Sequence, residues 1–529
     1  MSTHLTGLRP LLLMALRRDR VIIPLWTLYF VAISASSYGA TVSLYGTAAE
    51  RTAGARTINS APALVALYGP IYDVTSAAAI AFVKLVVLNA AIVALVAGLL
   101  VIRHSRADEE LGRRELVSAG EVARHAPLGA AVAVGWVFSV LVGGLSGAAA
   151  AASGAGVLGS VVMGAEWAAT GIAFSALAAV AAQLTSGARA ARGLVVGALA
   201  LAYVVRAVAD VTDLHWLTWL SPVGWAQQTR PFAGDRAWPL LLHVGLAVAA
   251  LAVAVAVESR RDLGAGVLPD RPGPAHGSLA SATALAWRLH RQGLLAWTVG
   301  LGLLGFVVGS VVTNLGDLLD TADARAMIEQ MGGTGVLEDA FVSAELGFLA
   351  VAATGYALSA AGRAHGEEAA GRLEGLLATP TARRDWLAGH VLVTLAGSTL
   401  LVTVIGLSLG AAHAIGASDP SVLWPDLTAA WVRLPAVWVV LGVTLLLYAV
   451  RPGWYVACWA VLAASVVLTE LGELLRLPDA VTDLSPYSHV PQLPAASFDL
   501  APVLGLLAVA AALLVAAFVR FDRRDLSAG

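Results

Sequence analysis

Apolar residues fall along this chain in long runs separated by short charged or Pro/Gly-rich breaks. A run of about 20 apolar residues, wound as a helix, crosses the roughly 30 Å hydrocarbon core of a bilayer. The pattern predicts twelve such spans, near residues 21–42, 77–102, 127–152, 157–184, 193–211, 238–257, 294–315, 341–361, 391–415, 427–450, 454–472 and 500–520. Residues 5–18, with leucines on one side and arginines near the end, predict an amphipathic helix lying on the membrane surface. A second such segment is expected around Trp287, Arg288 and Arg291, before span seven. Spans three and four are rich in Gly and Ala, which permits close helix packing.

Composition strengthens this reading. Of 529 residues, 58% are apolar and 13% charged, whereas a soluble domain is about a quarter charged. A single soluble core is excluded, and a net charge of −2 implies no nucleic-acid partner. One cysteine, Cys458, excludes an intrachain disulfide and a cysteine metal cluster. Lys84 is the only lysine, and it follows Ala-Ile-Ala-Phe-Val inside an apolar run rather than a glycine-rich turn. The chain therefore carries no Walker-type ATPase site, and any ATP-derived work must come from another subunit. There are no paired catalytic carboxylates and there is no metal-ligand spacing. These absences argue against an enzyme.

The charged breaks carry an internal repeat. Glu109, Gly112, Arg113, Glu115, Ala119 and Arg124 recur, at a constant offset of 259, as Glu368, Gly371, Arg372, Glu374, Ala378 and Arg383. Leu220-Ser221-Pro222 returns as Leu484-Ser485-Pro486, and Arg260-Arg261-Asp262-Leu263 as Arg523-Arg524-Asp525-Leu526. Three matches in one order indicate duplication of a six-span unit, and an even repeat gives both halves the same orientation. The expected fold is an all-α integral membrane protein of two tandem six-helix halves, 1–258 and 279–529, joined by a linker at 259–278. With the N-terminus inside, only Arg51, Arg56, Arg206, Arg230, Arg236, Arg325, Arg433 and Arg476 of the arginines fall in or near outer segments. That bias places both termini and both charged copies in the cytoplasm. An acidic segment with Asp317, Asp320, Asp323, Glu329 and Glu338 is then external.

Each charged copy is expected to form two short helices with a bend. Glu109 to Arg113 and Glu368 to Arg372 have the spacing of i, i+4 ion pairs. Ser118-Ala119-Gly120-Glu121 fits a capping box. Thr379-Pro380 fits an N-cap followed by proline at the first helical position. Orientation needs only arginines, so repetition of Glu, Gly, Arg and Glu in one order points to a docking elbow rather than a solvated loop.

The E-x-x-G-R-x-E core after the second span of each half resembles the coupling segment of ABC-2 type permeases. The whole chain is most similar to the fused twelve-span permeases of actinobacterial antibiotic exporters, of the polyketide or tetronasin kind. That resemblance implies a separate ATP-binding cassette subunit, dimerised beneath the permease and holding ATP and Mg, with no cofactor on this chain. It implies that Glu109, Gly112, Arg113, Glu115 and Arg124, and Glu368, Gly371, Arg372, Glu374, Thr379, Pro380 and Arg383, couple to that ATPase. It also implies short re-entrant turns on the outer side, matched by Ser221-Pro222 and Ser485-Pro486. Trp216, Trp219 and Trp225 beside the first turn fit an interfacial aromatic belt equally well.

Ionisable residues inside spans are costly and mark function or pairing. Lys84 and Glu166 are candidates for the substrate path, with Glu166 placed to pair with Lys84, although Lys84 also has the reach to snorkel outward. Asn89 and Gln183 read as helix-packing hydrogen bonders, and His243 and His413 as satisfied or interfacial histidines. The expected activity is export of hydrophobic or amphipathic small molecules along a central path in the cell membrane. The competing readings are ABC export of a lipid or cell-envelope precursor, and a proton-coupled twelve-span transporter. The last calls for a Gly-Asp-Arg-type signature after span two and more buried acids.

Overall fold

In the computed structural model the described residues are 6–268, 279, 281–312, 334–471 and 477–525. They are helical with no strand among them, and twelve helices are long and apolar enough to cross a membrane. Asp317, Asp320, Asp323 and Glu329 of the acidic segment, most of the linker, Arg325 and Arg476 lie outside the described residues. Helices suit this composition because a helix satisfies its own backbone where no water can.

The chain divides into two units, Met1–Gly273 and Pro274–Gly529. In the first, a surface helix Leu8–Arg18 precedes span one (Ile22–Leu44). Span two is Ala77–His104, span three Ala126–Ala152, span four Val157–Leu184, span five Ala188–Val211 and span six Leu240–Glu258. Span two is the axis of this unit, with Phe82, Leu85, Val87, Val93 and Leu100 in one buried cluster with Phe138 and Trp167. Spans three and four meet backbone to backbone: a Cβ built on Gly143 would lie 2.2 Å from the Gly164 carbonyl oxygen. The Gly/Ala-rich composition of these spans is thus used for a close crossing.

The second unit repeats this order with two departures from expectation. Its amphipathic segment is not a separate helix, since Ala282–Val312 runs unbroken through span seven. In the first unit Pro24 stands in the opening turn of span one, and a proline cannot continue a helix entering from Arg20. No proline occurs between Ala282 and Val312, so nothing interrupts that helix. Spans eight and nine are Thr334–Ala369 and Arg383–Ala417. Span ten is broken into Leu423–Trp431 and Leu434–Val450, because Pro435 enforces a new helix start. Spans eleven and twelve are Ala457–Leu471 and Leu500–Arg523.

The Leu-Ser-Pro turns occupy matching places in their units. Ser221 Oγ is buried, donates to the Ala202 carbonyl of span five at 2.6 Å and accepts from Gly224 N. Ser485 Oγ is buried, donates to the Ser465 carbonyl of span eleven at 3.0 Å and accepts from Tyr487 N. Pro222 then opens a short helix, Pro222–Gln227, whereas Pro486 lies in an irregular turn. Of the tryptophans, Trp219 stacks on Trp238 at 5.1 Å, Trp225 meets His243 edge-on, and Trp216 is exposed.

Candidate functional site

Both charged copies fold into elbows with the same backbone. Gly112 and Gly371 each have φ 70°, the left-handed region that favours glycine. Each is the N-cap of a one-turn-and-a-half helix, Arg113–Ser118 or Arg372–Leu377. The glycine turn corrects the expected i, i+4 pairs, because it breaks the helix between Glu109 and Arg113 and between Glu368 and Arg372. Instead Arg113 pairs with Asp108 at 3.0 Å, and Arg372 with Glu367 at 3.0 Å. The first acid of each acidic doublet thus closes the glycine turn.

The second acid points into the unit. Glu109, 4% exposed, takes Arg261 on both oxygens at 2.8 Å, and its Oε1 accepts the Gly264 N–H at 2.7 Å. Glu368, 2% exposed, takes Arg524 on both oxygens, at 2.8 and 2.5 Å. Arg261 and Arg524 belong to the repeated Arg-Arg-Asp-Leu tetrapeptide that follows spans six and twelve. Arg124 donates to the Arg261 carbonyl at 3.2 Å and Arg383 to the Arg524 carbonyl at 2.9 Å. A carboxylate from the front of the elbow and an arginine from its back therefore grip one residue at the end of each unit's last span. The tetrapeptide was legible as a repeat, but its partner was not. The available signal was that a charged motif survives twice beyond an apolar span, where either sequence alone would serve as a solvated end.

Electrostatics follow from this enclosure. Burial pushes the Glu109 carboxyl up, but the Arg261 guanidinium, the Gly264 N–H and the neighbouring Arg106 outweigh it and hold it down at about 2. Gln183, expected only to pack, joins the clasp: its Oε1 accepts from Arg261 Nε at 2.6 Å.

Both expected helix restarts are corrected. The first elbow's second helix ends at Ser118, and the next begins at Ala126, with Pro127 in its first turn. Between them the chain runs through turns and bends, and Ala123 N donates to the Thr6 carbonyl at 3.0 Å, so a tertiary tie replaces the capping box. In the second elbow Thr379 and Pro380 form a turn, and the helix resumes at Arg383. The Thr379 hydroxyl is spent on the Leu376 carbonyl and on Thr381, which leaves it unable to cap. What remains exposed is a short edge: Arg113, Glu115 and Leu116 on the first elbow, Arg372, Glu374 and Gly375 on the second.

The proposed path residues do not pair. Lys84 is exposed on the surface of its unit, whereas Glu166 is fully buried and accepts from Thr229 Oγ1 at 3.1 Å. Thr229 lies just beyond the Ser221-Pro222 turn, so Glu166 braces that turn from span four. His243 likewise reaches the Pro222 carbonyl at 2.9 Å, and His413 pairs with buried Asp426 at 2.8 Å.

Twelve candidate spans in two repeated units, each with a clasped polar elbow, define a polytopic all-helical membrane protein. Residues 279–522 match the family model described as the C-terminal domain of the multidrug efflux system permease Rv1217c. The chain is 39% identical over 525 residues to the multidrug efflux system permease protein Rv1217c of Mycobacterium tuberculosis (strain ATCC 25618 / H37Rv), covering 98% of this chain and 95% of that one. It belongs to this family of efflux permeases and is a membrane component of a transport system.

Proposed function

We propose that this chain is the transmembrane permease of an ATP-binding cassette exporter of the ABC-2 type, driven by a separate dimeric ATPase that holds ATP and Mg. The observation that carries this reading is the duplicated elbow: an exposed edge joined through a buried Glu–Arg clasp to the last span of its unit. A push on Arg113, Glu115 and Leu116, or on Arg372 and Glu374, is passed by Glu109–Arg261 or Glu368–Arg524 to the helix behind. Such a link suits force transmission, since a buried bidentate pair resists separation far better than a surface one. The cargo is a hydrophobic or amphipathic small molecule, in keeping with the efflux permease named among its relatives. The elbows and both termini face the cytoplasm, as the arginine bias indicates.

The experiment is reconstitution of the chain with its partner ATPase. The permease alone should hydrolyse no ATP, and the pair should show substrate-stimulated hydrolysis and export. Charge reversal at Glu374, on the exposed edge, should uncouple hydrolysis from export while leaving the protein in the membrane. Reversal at Arg383, which holds the clasp from behind, should uncouple it as well. Unchanged export in both variants refutes docking at the elbow. Transport that survives ATP depletion and collapses with a protonophore would instead assign the work to enclosed Glu166 and the His413–Asp426 pair.

A further inference from the structure

Five arginines are buried among the described residues: Arg106, Arg114, Arg206, Arg433 and Arg524. Four of them have a carboxylate within ion-pair distance, in Glu109, Glu258, Asp210 and Glu368 respectively. Arg433, 3% exposed, has none among the described residues. It stands at the break in span ten, where it donates to the Ala429 carbonyl left over by the interrupted helix. Its other partners are the Ser343 carbonyl and hydroxyl, at 2.6 and 3.0 Å, and the Leu493 carbonyl beyond the Leu-Ser-Pro turn. Each of these acceptors is neutral, so among the described residues the hydrogen bonds are satisfied and the charge is not. A buried charge without a counter-charge is costly.

Arg433 is not sealed. It lines a cleft between spans eight, ten and eleven, with Ser343 and Gln492 beside it and Gly347, Val351 and Val466 as apolar wall. Ser343 donates to Gln492 at 3.0 Å, so the polar groups are gathered at one end. Gly347 looks into open space, with no atom within 4 Å of a Cβ placed on it.

We propose that this cleft binds an anionic amphiphile, with a carboxylate or phosphate head against Arg433 and an apolar body along span eight. The head supplies the missing counter-charge. The proposal takes its setting from the efflux reading above, and the head group belongs either to a transported solute or to a bilayer lipid.

The test uses the full chain in phosphatidylcholine nanodiscs and calorimetric titration with dodecanoate, dodecanol and dodecylammonium. Dodecanoate should bind about tenfold tighter than dodecanol, the worth of one hydrogen bond to a charged group, and dodecylammonium weakest. Arg433→Gln should bring dodecanoate to the level of dodecanol. Gly347→Leu, which fills the cleft without touching Arg433, should abolish the preference and serves on its own if the arginine variant does not fold. Equal binding of dodecanoate and dodecanol to the parent chain, or a preference that survives Gly347→Leu, overturns the site. Loss of dodecanoate binding in phosphatidylglycerol nanodiscs supports the site with a lipid head as occupant, and retention supports it with a free solute. Where the titration shows the anion preference, export of neutral compounds with no anion preference supports a lipid head as the occupant, whereas no export of any compound refutes the efflux reading and leaves the titration standing.

Discussion

The two elbows share a backbone and a clasp but are packed by opposite chemistry. In the first, Arg114 reaches buried Glu258 at the end of span six, His125 meets the same carboxylate at 2.8 Å, and Arg106 lies enclosed beside Glu109. In the second, Leu373 occupies the place of Arg114 and sits in a buried cluster with Trp386, Tyr448 and Phe521. Phe521 stacks on Trp386 at 5.7 Å and is covered by the Arg524 guanidinium at 4.9 Å, while the Tyr448 hydroxyl donates to Glu368 at 2.5 Å. The lesson is that the Glu–Gly–Arg geometry and the Glu–Arg clasp are common to both copies, whereas the material behind them is exchangeable between an ionic network and an aromatic wedge. One further tie is confined to the first copy's surroundings: Arg18 of the surface helix pairs with Asp108 at 2.7 Å.

The largest expected effect separates the clasps. Arg524→Leu removes a bidentate partner of buried Glu368 together with its stacking on Phe521 and Tyr448, and should destabilise by about 3–5 kcal/mol. Arg261→Leu should cost less, since Glu109 keeps Arg106 and Arg114. Unfolding of the two variants in mixed micelles compares them directly, and equal losses would show that the aromatic and ionic surroundings are equivalent after all. Next comes Leu373→Arg, which puts a charge into the aromatic wedge and should cost about 3 kcal/mol. Adding Phe521→Glu rebuilds the Arg114–Glu258 arrangement of the first elbow, and a double-mutant cycle should recover about 1–2 kcal/mol of that loss. Absence of coupling would mean that the two packings are not interchangeable.

Gly112→Ala and Gly371→Ala probe what the copies share. Each forces a Cβ into a left-handed residue and should cost about 1–2 kcal/mol, equally in both, by the same measurement. The smallest effect concerns pH. Glu109 has a depressed carboxyl, so its contribution is complete above the ordinary glutamate range and is lost only as pH falls toward about 2. The difference in melting temperature between the parent chain and Glu109→Gln should therefore stay constant between about pH 6 and 8 and shrink only below about 4. A difference that changes within the neutral range would show that the clasp is not ionised as described.

Several features were legible in the amino-acid sequence. All twelve spans could be placed, because hydrocarbon thickness sets the length of an apolar run. The elbow residues could be located, because charge is scarce in such a chain and its repetition stands out. Local helix rules then failed at the elbows themselves. Glu109 and Glu368 had good intrahelical partners by spacing, yet a left-handed glycine turned them toward Arg261 and Arg524 in distant segments. Ser118 and Thr379 looked like caps, yet ties to Thr6 and Leu376 set where the next helix begins. Lys84 and Glu166 looked like a pair, yet Lys84 faces outward from the helix whose neighbours enclose Glu166.

By itself, then, the sequence determined that this is a twice-repeated, twelve-span membrane protein whose scarce charges collect into two elbows, because hydrophobic length and charge bias are properties of segments. Only the tertiary structure decided which charges face each other, that one elbow is ionic and the other aromatic behind the same Gly112 and Gly371 turns, and that Arg433 is the buried arginine with no carboxylate among the described residues. Pairing at separations of 152 and 156 residues depends on how helices pack, and no local pattern carries that information.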